Sequence, residues 1–277
     1  MPSPQLSVIL ITRNEAHNVA GCLGSVAFAD EWIVVDSGST DGTREIAERF
    51  GARVVKTGDW PGFGAQKNRA LALAQGRWVL SIDADERVDE RLAASIRKVV
   101  EADTSGHASA PAAGRDAVPR TVGYELSRLS SFCGQWMRHG DWYPDRVLRL
   151  FRRGAGRFSD DLVHERLIVD GAVGRLEGEL LHDSMPTLEG ALDKMNRYTS
   201  GRARDKVRAG QRGGLGKALA HGLWAFLRCY GLRRGFLDGR LGFVLAVYVA
   251  EGTYYRYLKM GLDSREPAVN QTAKRGS

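Results

Sequence analysis

The sequence predicts an α/β protein with a mostly parallel sheet, helices on both faces and an amphipathic helical extension at the C-terminus. The first observation is that apolar runs of strand length alternate four times with helical segments, which is the pattern of βαβ units. The second is that acidic residues follow the fourth of these runs. They come at the carboxyl end of a predicted strand, which is where ligands bind in an open α/β sheet. The third is a late series of leucines at every fourth position, which predicts an amphipathic helix.

The predicted strands and helices alternate along the N-terminal part of the chain. Strand-forming residues occupy 6–11, 31–35, 53–56 and 78–82. A helical segment follows each strand, and these segments run to about residue 27 and over 44–50, 64–75 and 89–102. The Ser, Thr and Asp cluster after the second strand offers N-caps, while Gly51 and Gly76 end the second and third helices. This order favours parallel pairing of the four strands.

The middle of the chain has a different composition. Residues 103–121 are rich in Ala, Gly, Pro, Ser and Thr without an apolar period, so we predict a mobile loop there. Two strands with one wetter face are predicted at 122–126 and 147–151. The segment between them contains Trp136, His139 and Trp142, which fits either contact with a sugar or packing of the tryptophans.

Length and composition favour one large domain with a smaller appendage. We place an α/β domain at residues 1–196 and a basic, amphipathic helical region at 197–277. The three cysteines are scattered without a Cys-x-x-Cys pair, so neither a disulfide framework nor a zinc site is indicated. The N-terminus has no basic stretch leading into an apolar run, and we expect a cytoplasmic protein.

The positive charge is concentrated in the C-terminal region. The net charge is +7, yet residues 197–240 hold eleven Lys or Arg against two Asp, a local +9, which leaves −2 for the rest. The leucines at 215, 219, 223 and 227 recur at helical spacing, and the apolar run 241–250 is shorter than the roughly 20 residues that cross a bilayer. Two interpretations stay open: helices that lie in an anionic membrane interface, or helices that cover the sheet.

The most informative stretch is Asp83-Ala84-Asp85, directly after the fourth predicted strand. The carboxyl end of a strand in an open α/β sheet borders the ligand crevice. Two carboxylates there suit Mg²⁺ or Mn²⁺, which bind through one or two carboxylates and the phosphates of a substrate. The stretch therefore predicts a site for a divalent metal and a phosphate ester, with simple helix capping by the two aspartates as the alternative.

Four segments, in this order, resemble glycosyltransferase family 2, the inverting nucleotide-sugar transferases with the Rossmann-like GT-A fold. They are the first strand with its Asn14-Glu15 turn, residues 34–41, Lys67-Asn68, and Asp83-Ala84-Asp85. Ser37 stands where the family often has a second Asp, and Lys67 where Arg is common. Segments 151–153, 163–165 and 235–239 further resemble the lipopolysaccharide core β-1,4-glucosyltransferase branch (WaaE/KdtX type).

The resemblance implies transfer of a sugar, glucose in that branch, from a nucleotide diphospho-sugar such as a UDP-sugar. The implied acceptor is a lipopolysaccharide core or another lipid-linked glycan. The leucine series, the short apolar run and the arginines predict an enzyme held peripherally on the cytoplasmic face of the inner membrane, beside such an acceptor. A polyprenyl-phosphate or exopolysaccharide acceptor is the alternative.

The resemblance also implies roles for individual residues. The nucleoside would be bordered by Thr12, Asn14, Glu15 and Asp36. Lys67 would reach the diphosphate, and Asp83 the ribose. Mg²⁺ or Mn²⁺ would be held by Asp85, with Asp83 and His182 as further ligands. Glu165 would be the catalytic base, with Asp161 in reserve.

Other functions fit the residues less well. A phosphatase of the haloacid-dehalogenase type also uses Asp-x-Asp, but Arg87 stands where it usually has Thr. A dinucleotide oxidoreductase would need a third glycine where Lys67 lies, and no strand directly precedes Gly62. A nucleic-acid-binding module could use the basic segment, but its aromatics and leucines interleave as in an amphipathic helix. We therefore expect no nucleic-acid partner.

Overall fold

A computed structural model describes residues 4–104, 121–159 and 165–263. Its strands are β1 (Leu6–Thr12), β2 (Glu31–Asp36), β3 (Arg53–Lys56), β4 (Trp78–Ser81), β5 (Glu86–Val88), β6 (Thr121–Phe132), β7 (Gln135–Trp136), β8 (Asp145–Arg152), β9 (Gly156–Phe158), β10 (Leu167–Val169) and β11 (Ala172–Met185). Its α-helices are α1 (Val19–Ser25), α2 (Thr43–Arg49), α3 (Phe63–Leu73), α4 (Glu90–Thr104), α5 (Leu188–Arg208), α6 (Leu215–Phe226) and α7 (Gly239–Asp263). A π-helical turn, Leu227–Leu232, and a 3₁₀ turn, Gly235–Asp238, lie between α6 and α7.

The chain divides into two compact units. The first comprises Met1–Leu129 and Asp145–His182, and the second comprises Ser130–Pro144 and Asp183–Ser277. Residue 196 lies within α5 of the second unit. The functional division between residues 196 and 197 stays a prediction.

The sheet of the first unit has a parallel half and an antiparallel half. The strand order is β3-β2-β1-β4-β8-β6-β11-β5. Strands β3, β2, β1 and β4 pair in parallel, as the alternation of strands and helices predicted. Strand β8 is antiparallel to both β4 and β6, and β11 is antiparallel to β5. The helical connections of βαβ units explain the parallel half, because parallel neighbours need a crossover.

Helices cover both faces of this sheet, as predicted. Successive side chains of a strand point to opposite faces. Val8 and Leu10 of β1 therefore join one core cluster with residues of α1 and α4. Ile9, between them, joins a second cluster with Ala70 of α3. The two clusters cover the sheet from both sides, while polar groups lie at the carboxyl ends of its parallel strands.

The second unit is largely helical and has its own core. Phe132, Met137, Ala191 and Leu245 are buried together there. Trp142 packs edge-on against Phe132, with 5.8 Å between ring centroids. The packing interpretation thus holds for Trp142.

The predicted mobile loop at 103–121 is flanked by regular structure. Helix α4 continues to Thr104 and β6 begins at Thr121. Residues 105–120 lie outside the described part of the chain, so the mobility stays a prediction.

Candidate active site

The ends of β1 and β2 form the first part of the site. Thr12 and Asp36 are the last residues of these strands and are register partners. Both are buried, and the Thr12 hydroxyl donates to Asp36 Oδ2 at 2.9 Å. Asp36 Oδ1 accepts from the backbone N–H groups of Gly38 and Ser39 at 3.1 and 2.8 Å. Asp36 therefore shapes the turn that follows β2.

The turn after β1 is tied to the turn after β2. Asn14 has a φ of 58°, a left-handed conformation that Asn tolerates better than most residues. Its N–H donates to Ser39 Oγ at 2.8 Å, and its Oδ1 accepts from the N–H of Thr40 at 2.9 Å. The N–H of Glu15 donates to Thr43 Oγ1 at 2.8 Å. These bonds bring the four predicted nucleoside-binding residues to one edge of the sheet.

Burial raises the pKa of Glu15, one of these four residues. The hydrogen bond from Asn18 lowers it, but by less than burial raises it. Desolvation disfavours the charged carboxylate. Glu15 therefore holds its negative charge less readily than an exposed glutamate.

Lys67 brings three of the predicted residues together. It lies on α3 and is buried. Its Nζ is 3.0 Å from Asp83 Oδ1 and 3.0 Å from Glu165 Oε1. Asn68, the next residue, exchanges two hydrogen bonds with the backbone of Phe158, which anchors α3 to β9. The lysine is thereby fixed between Asp83, two residues after the end of β4, and Glu165.

The first turn of α3 approaches the same carboxylate closely. A Cβ built on Gly64 would lie 1.9 Å from the carbonyl oxygen of Ser159 and 3.4 Å from Cβ of Glu165. Only glycine permits this separation of the two backbones. The contact fixes the distance between α3 and the segment that carries Glu165.

Arg149 and Glu86 complete a buried ionic network that the sequence analysis missed. Arg149 Nη2 of β8 lies 2.6 Å from Asp83 Oδ2 and 2.7 Å from Glu86 Oε1. Glu86 is fully buried and its Oε2 accepts from the N–H of Asp83 at 2.9 Å. Arg128 lies 3.4 Å from Glu86 and 2.7 Å from Asp145. Cations and carboxylates thus alternate from Glu165 to Asp145.

The network sets the ionisation of Asp83. Burial alone would raise the pKa of this carboxyl, but the charges of Arg149 and Lys67 outweigh it and hold the pKa well below its usual range. Burial likewise acts to lower the pKa of Arg149, whereas Asp83 and Glu86 raise it above its ordinary value. Asp83 is therefore an ionised carboxylate with both oxygens engaged.

Asp85 faces His182 on β11. His182 Nε2 lies 3.3 Å from Asp85 Oδ2, and the pairing of His182 with Glu86 places the histidine next to the strand that follows Asp85. Within residues 4–104, 121–159 and 165–263, no group of three or more His, Cys, Asp or Glu side chains is placed to hold a metal ion. A carboxylate and an imidazole fit a divalent cation whose remaining ligands are water and substrate phosphates.

The sequence analysis predicted one further site residue, Asp161, and missed three others. Asp161 lies outside the described residues, so its role stays a prediction. Arg149 had a signal in the sequence, a basic residue within an otherwise apolar part of β8. Glu86 directly follows Asp-x-Asp and could have been included with it. Arg128 had no such signal, because its partners are distant in the chain.

Comparison with known proteins places these residues in a family context. The glycosyl transferase family 2 model matches residues 7–154, more than half of the chain. The lipopolysaccharide core biosynthesis glycosyltransferase LpsC of Rhizobium meliloti (strain 1021) is 30% identical over 274 residues, which cover 93% of this chain and 94% of LpsC. An uncharacterized glycosyltransferase of Rickettsia typhi (strain ATCC VR-144 / Wilmington) is 27% identical over 266 residues, which cover 92% and 86%.

Among solved structures, S. aureus TarS aligns with 16% sequence identity and a TM-score of 0.43. That alignment covers 72% of this chain and 39% of the TarS chain. The extent of the family match and the full-length similarity to LpsC lead to one conclusion. The chain belongs to glycosyltransferase family 2 and has the GT-A fold.

Proposed function

We propose that this transferase is an inverting, metal-dependent enzyme that moves glucose from a UDP-sugar or related nucleotide diphospho-sugar to a lipopolysaccharide-core or other lipid-linked glycan. One observation carries the proposal: Lys67 contacts both Asp83 and Glu165. A cation for a diphosphate and a carboxylate for a base thus lie in one cluster, and Asp85, facing His182, follows Asp83 in the chain. This combination supports a reaction in which a diphosphate departs and a carboxylate takes the proton of the attacking hydroxyl.

Glu165 is the proposed base. In the transfer, the acceptor hydroxyl oxygen bonds to the anomeric carbon while the bond from that carbon to the diphosphate oxygen breaks. The hydroxyl proton passes to a carboxylate oxygen of Glu165. A positioned base contributes about 10² to 10⁴ in rate. Glu165 is partly exposed, as a group that meets an incoming hydroxyl must be, and Asp161 remains the reserve candidate.

Lys67 is the proposed cation for the leaving diphosphate. Its charge, held in a largely buried position, would stabilise the negative charge that grows on the leaving oxygen. Asp85 and His182 would hold Mg²⁺ or Mn²⁺. When bound, the metal would neutralise charge on the diphosphate as a Lewis acid. Because both oxygens of Asp83 are engaged by cations, we assign Asp83 to the ribose side and keep its metal contact as the weaker alternative.

The nucleoside would lie at the turns after β1 and β2. Thr12 and Asp36 fix these turns from within, whereas Asn14 and Glu15 lie in the turn itself and are the more direct candidates for contact. This division of roles is supported by the burial of the first pair.

The acceptor class is supported by a relative. LpsC is named as a lipopolysaccharide core biosynthesis glycosyltransferase and is similar to this chain along nearly its whole length. A polyprenyl-phosphate or exopolysaccharide acceptor stays the alternative. Family membership removes the phosphatase alternative, because that enzyme class belongs to another fold family.

The second unit offers a surface for membrane attachment. Helix α6 packs against α7 through small residues, and a Cβ built on its Gly222 would lie 3.2 Å from Cβ of Tyr254. Its large side chains point away from this contact: Leu219 and Leu223 are 57% and 62% exposed. A helix that covers a core turns its apolar stripe toward that core, whereas α6 exposes its leucines to solvent.

The exposed apolar surface, here called the leucine face, continues beyond α6 into the turns that follow and the start of α7. It consists of Leu215, Leu219, Leu223, Trp224, Leu227, Leu232, Phe236, Leu237 and Phe243. Exposed basic residues accompany it at Arg212, Lys217, Arg228, Arg233, Arg234 and Arg240. Among the described helices, none combines the length and apolar composition needed to cross a membrane. We infer peripheral attachment to an anionic bilayer, at the cytoplasmic face of the inner membrane.

A thermal-shift screen tests the donor assignment. A ligand that binds only the native state raises its stability, by about 2.7 kcal/mol at a concentration of 100 Kd. UDP or UDP-glucose with Mn²⁺ is expected to raise the melting temperature, and each component alone is expected to do so less. If no nucleotide diphosphate shifts the transition with or without metal, the proposed function is wrong.

A further inference from the structure

Two exposed aromatic side chains stand at the start of α3, outside every role assigned so far. Trp60 is 43% exposed and Phe63 is 44% exposed. Their rings meet edge to face, with 4.9 Å between centroids and 89° between planes. Because the two rings contact each other, they leave a joint apolar surface in water that the ring of a ligand could cover.

The position of Phe63 on α3 directs it toward the candidate active site. Phe63 and Lys67 are four residues apart, so they lie on the same face of the helix. Lys67 contacts Glu165 and Asp83 on that face. Gly64, the residue after Phe63, packs against the same segment, since a Cβ built on it would lie 3.4 Å from Cβ of Glu165. Phe63 therefore lies on the side of α3 that carries Lys67, which contacts the proposed base.

The loop that carries Trp60 is held in place on its N-terminal side, at Thr57 and Asp59. The N–H of Thr57 donates to the carbonyl oxygen of Asp36 at 2.8 Å, and Gln66 of α3 donates to Thr57 Oγ1 at 2.6 Å. Arg69 donates to both carboxylate oxygens of Asp59, at 2.7 and 2.9 Å. A bidentate pair of this kind fixes orientation as well as distance. The aromatic pair is thus a preorganised surface.

The charge of this loop narrows the class of ligand. Asp59 is the only charged residue in 57–63, and Arg69 neutralises it. A neutral aromatic corner does not attract phosphate. It does suit a pyranose ring, whose apolar C–H face can lie on the negative face of an aromatic ring.

We propose that Trp60 and Phe63 form the platform on which a pyranose ring of the acceptor stacks beside Glu165. The inference rests on the proposed function, since the hydroxyl that attacks must come within hydrogen-bond reach of the base. An acceptor ring on this platform would present its hydroxyl to the side of α3 that packs against the segment carrying Glu165.

Two probes test the platform and separate it from a nucleobase site. The first is lipopolysaccharide core oligosaccharide freed of lipid A, titrated calorimetrically into protein saturated with UDP and Mn²⁺. The second is UDP with Mn²⁺ alone. The variants W60A and F63A are expected to weaken oligosaccharide binding about tenfold or more, while the Kd for UDP stays within about twofold. W60F is expected to retain most of the affinity.

The matched control is F50A. Phe50 is exposed to the same extent, 43%, but follows α2 and precedes β3, at the amino ends of the strands. This variant is expected to bind both probes as the wild type does. If W60A and F63A bind the oligosaccharide as tightly as the wild type does, the platform proposal is wrong. It is also wrong if these variants lose as much affinity for UDP as for the oligosaccharide, which would indicate a nucleobase site. Wild-type protein that binds UDP but not the oligosaccharide also overturns it. Wild-type protein that fails to bind UDP with Mn²⁺ refutes the proposed function instead.

Discussion

Replacement of Arg149 by Met removes the cation that joins two carboxylates of the active-site network. Methionine keeps most of the side-chain length without the charge. The change leaves Glu86, which is fully buried, with Arg128 at 3.4 Å as its remaining cationic partner among the described residues, and with the hydrogen bond from the N–H of Asp83. Asp83 keeps Lys67 at 3.0 Å and is 35% exposed.

The size of the effect follows from these contacts. Breaking a buried ion pair by removing one partner costs about 3 to 5 kcal/mol. The share of Asp83 is discounted because water and Lys67 screen its charge, so we expect a loss near the lower end, about 3 kcal/mol. In a protein of this size, that corresponds to a fall in melting temperature of about 6 to 12 °C.

The loss should also depend on pH, with a definite sign. The folded-state pKa of Asp83 is held below its unfolded value, so its ion pairs stabilise the protein above the unfolded value of about 3.9. That stabilisation fades as the pH falls through the folded pKa. Because R149M removes one cause of the low pKa, the difference between wild type and variant should be largest near neutral pH. It should shrink below about pH 4.

Urea denaturation followed by circular dichroism measures this loss of stability. The double variant R149M/E86Q should recover at least about 1 kcal/mol relative to R149M, because it removes the stranded charge of Glu86. A loss of less than about 1 kcal/mol in R149M would show that the network does not organise the site. Failure of E86Q to relieve the defect would show that the cost is one of packing.

Three further predictions follow from other parts of the molecule. D85A should fold normally but lose the metal-dependent part of UDP binding and all transfer, and normal turnover would refute the metal assignment. G64A should destabilise the protein by about 1 to 3 kcal/mol, because its Cβ would meet backbone at 1.9 Å, whereas G58A, with open space around it, should not. L223E should abolish co-sedimentation with anionic vesicles at low salt without altering the melting curve. The control variant V173E, at an exposed position of β11, should sediment with the vesicles as the wild type does. Misfolding of L223E would instead show that the leucine face is part of a core.

Local signals were enough to predict the parallel half of the sheet. Strand β3 occupies the residues that the sequence indicated, and β2 and β4 differ from the prediction by a single residue at one end. These strands and the helices between them could be predicted from neighbouring residues alone, because the apolar period, the N-caps and the terminating glycines are all local signals. Two strands of the antiparallel half were predicted, within β6 and β8, but their antiparallel pairing was not. Strand β11 alternates exposed residues with buried or partly buried ones only over its first six positions, and its pairing with β5 depends on residues more than 90 apart in the chain.

The site shows the same limit. Lys67, Asp83 and Glu165 were identified from motif order, but the contact between Lys67 and Glu165 spans 98 residues and no spacing rule reveals it. Arg149 looked like part of a wet strand face, yet it is buried because two carboxylates compensate its charge. The leucine period predicted α6 correctly. It could not show which side is buried, since small residues such as Gly222 allow the closer helix contact.

The most direct test is a comparison of wild type with E165Q in two assays. The amide keeps the shape of the side chain and removes the base. If Glu165 takes the acceptor proton, E165Q should bind UDP with Mn²⁺ as the wild type does and lose about 10² to 10⁴ in the rate of sugar transfer to lipopolysaccharide core. Transfer by E165Q at the wild-type rate, with UDP binding intact, would contradict the assignment of the base and the mechanism built on it.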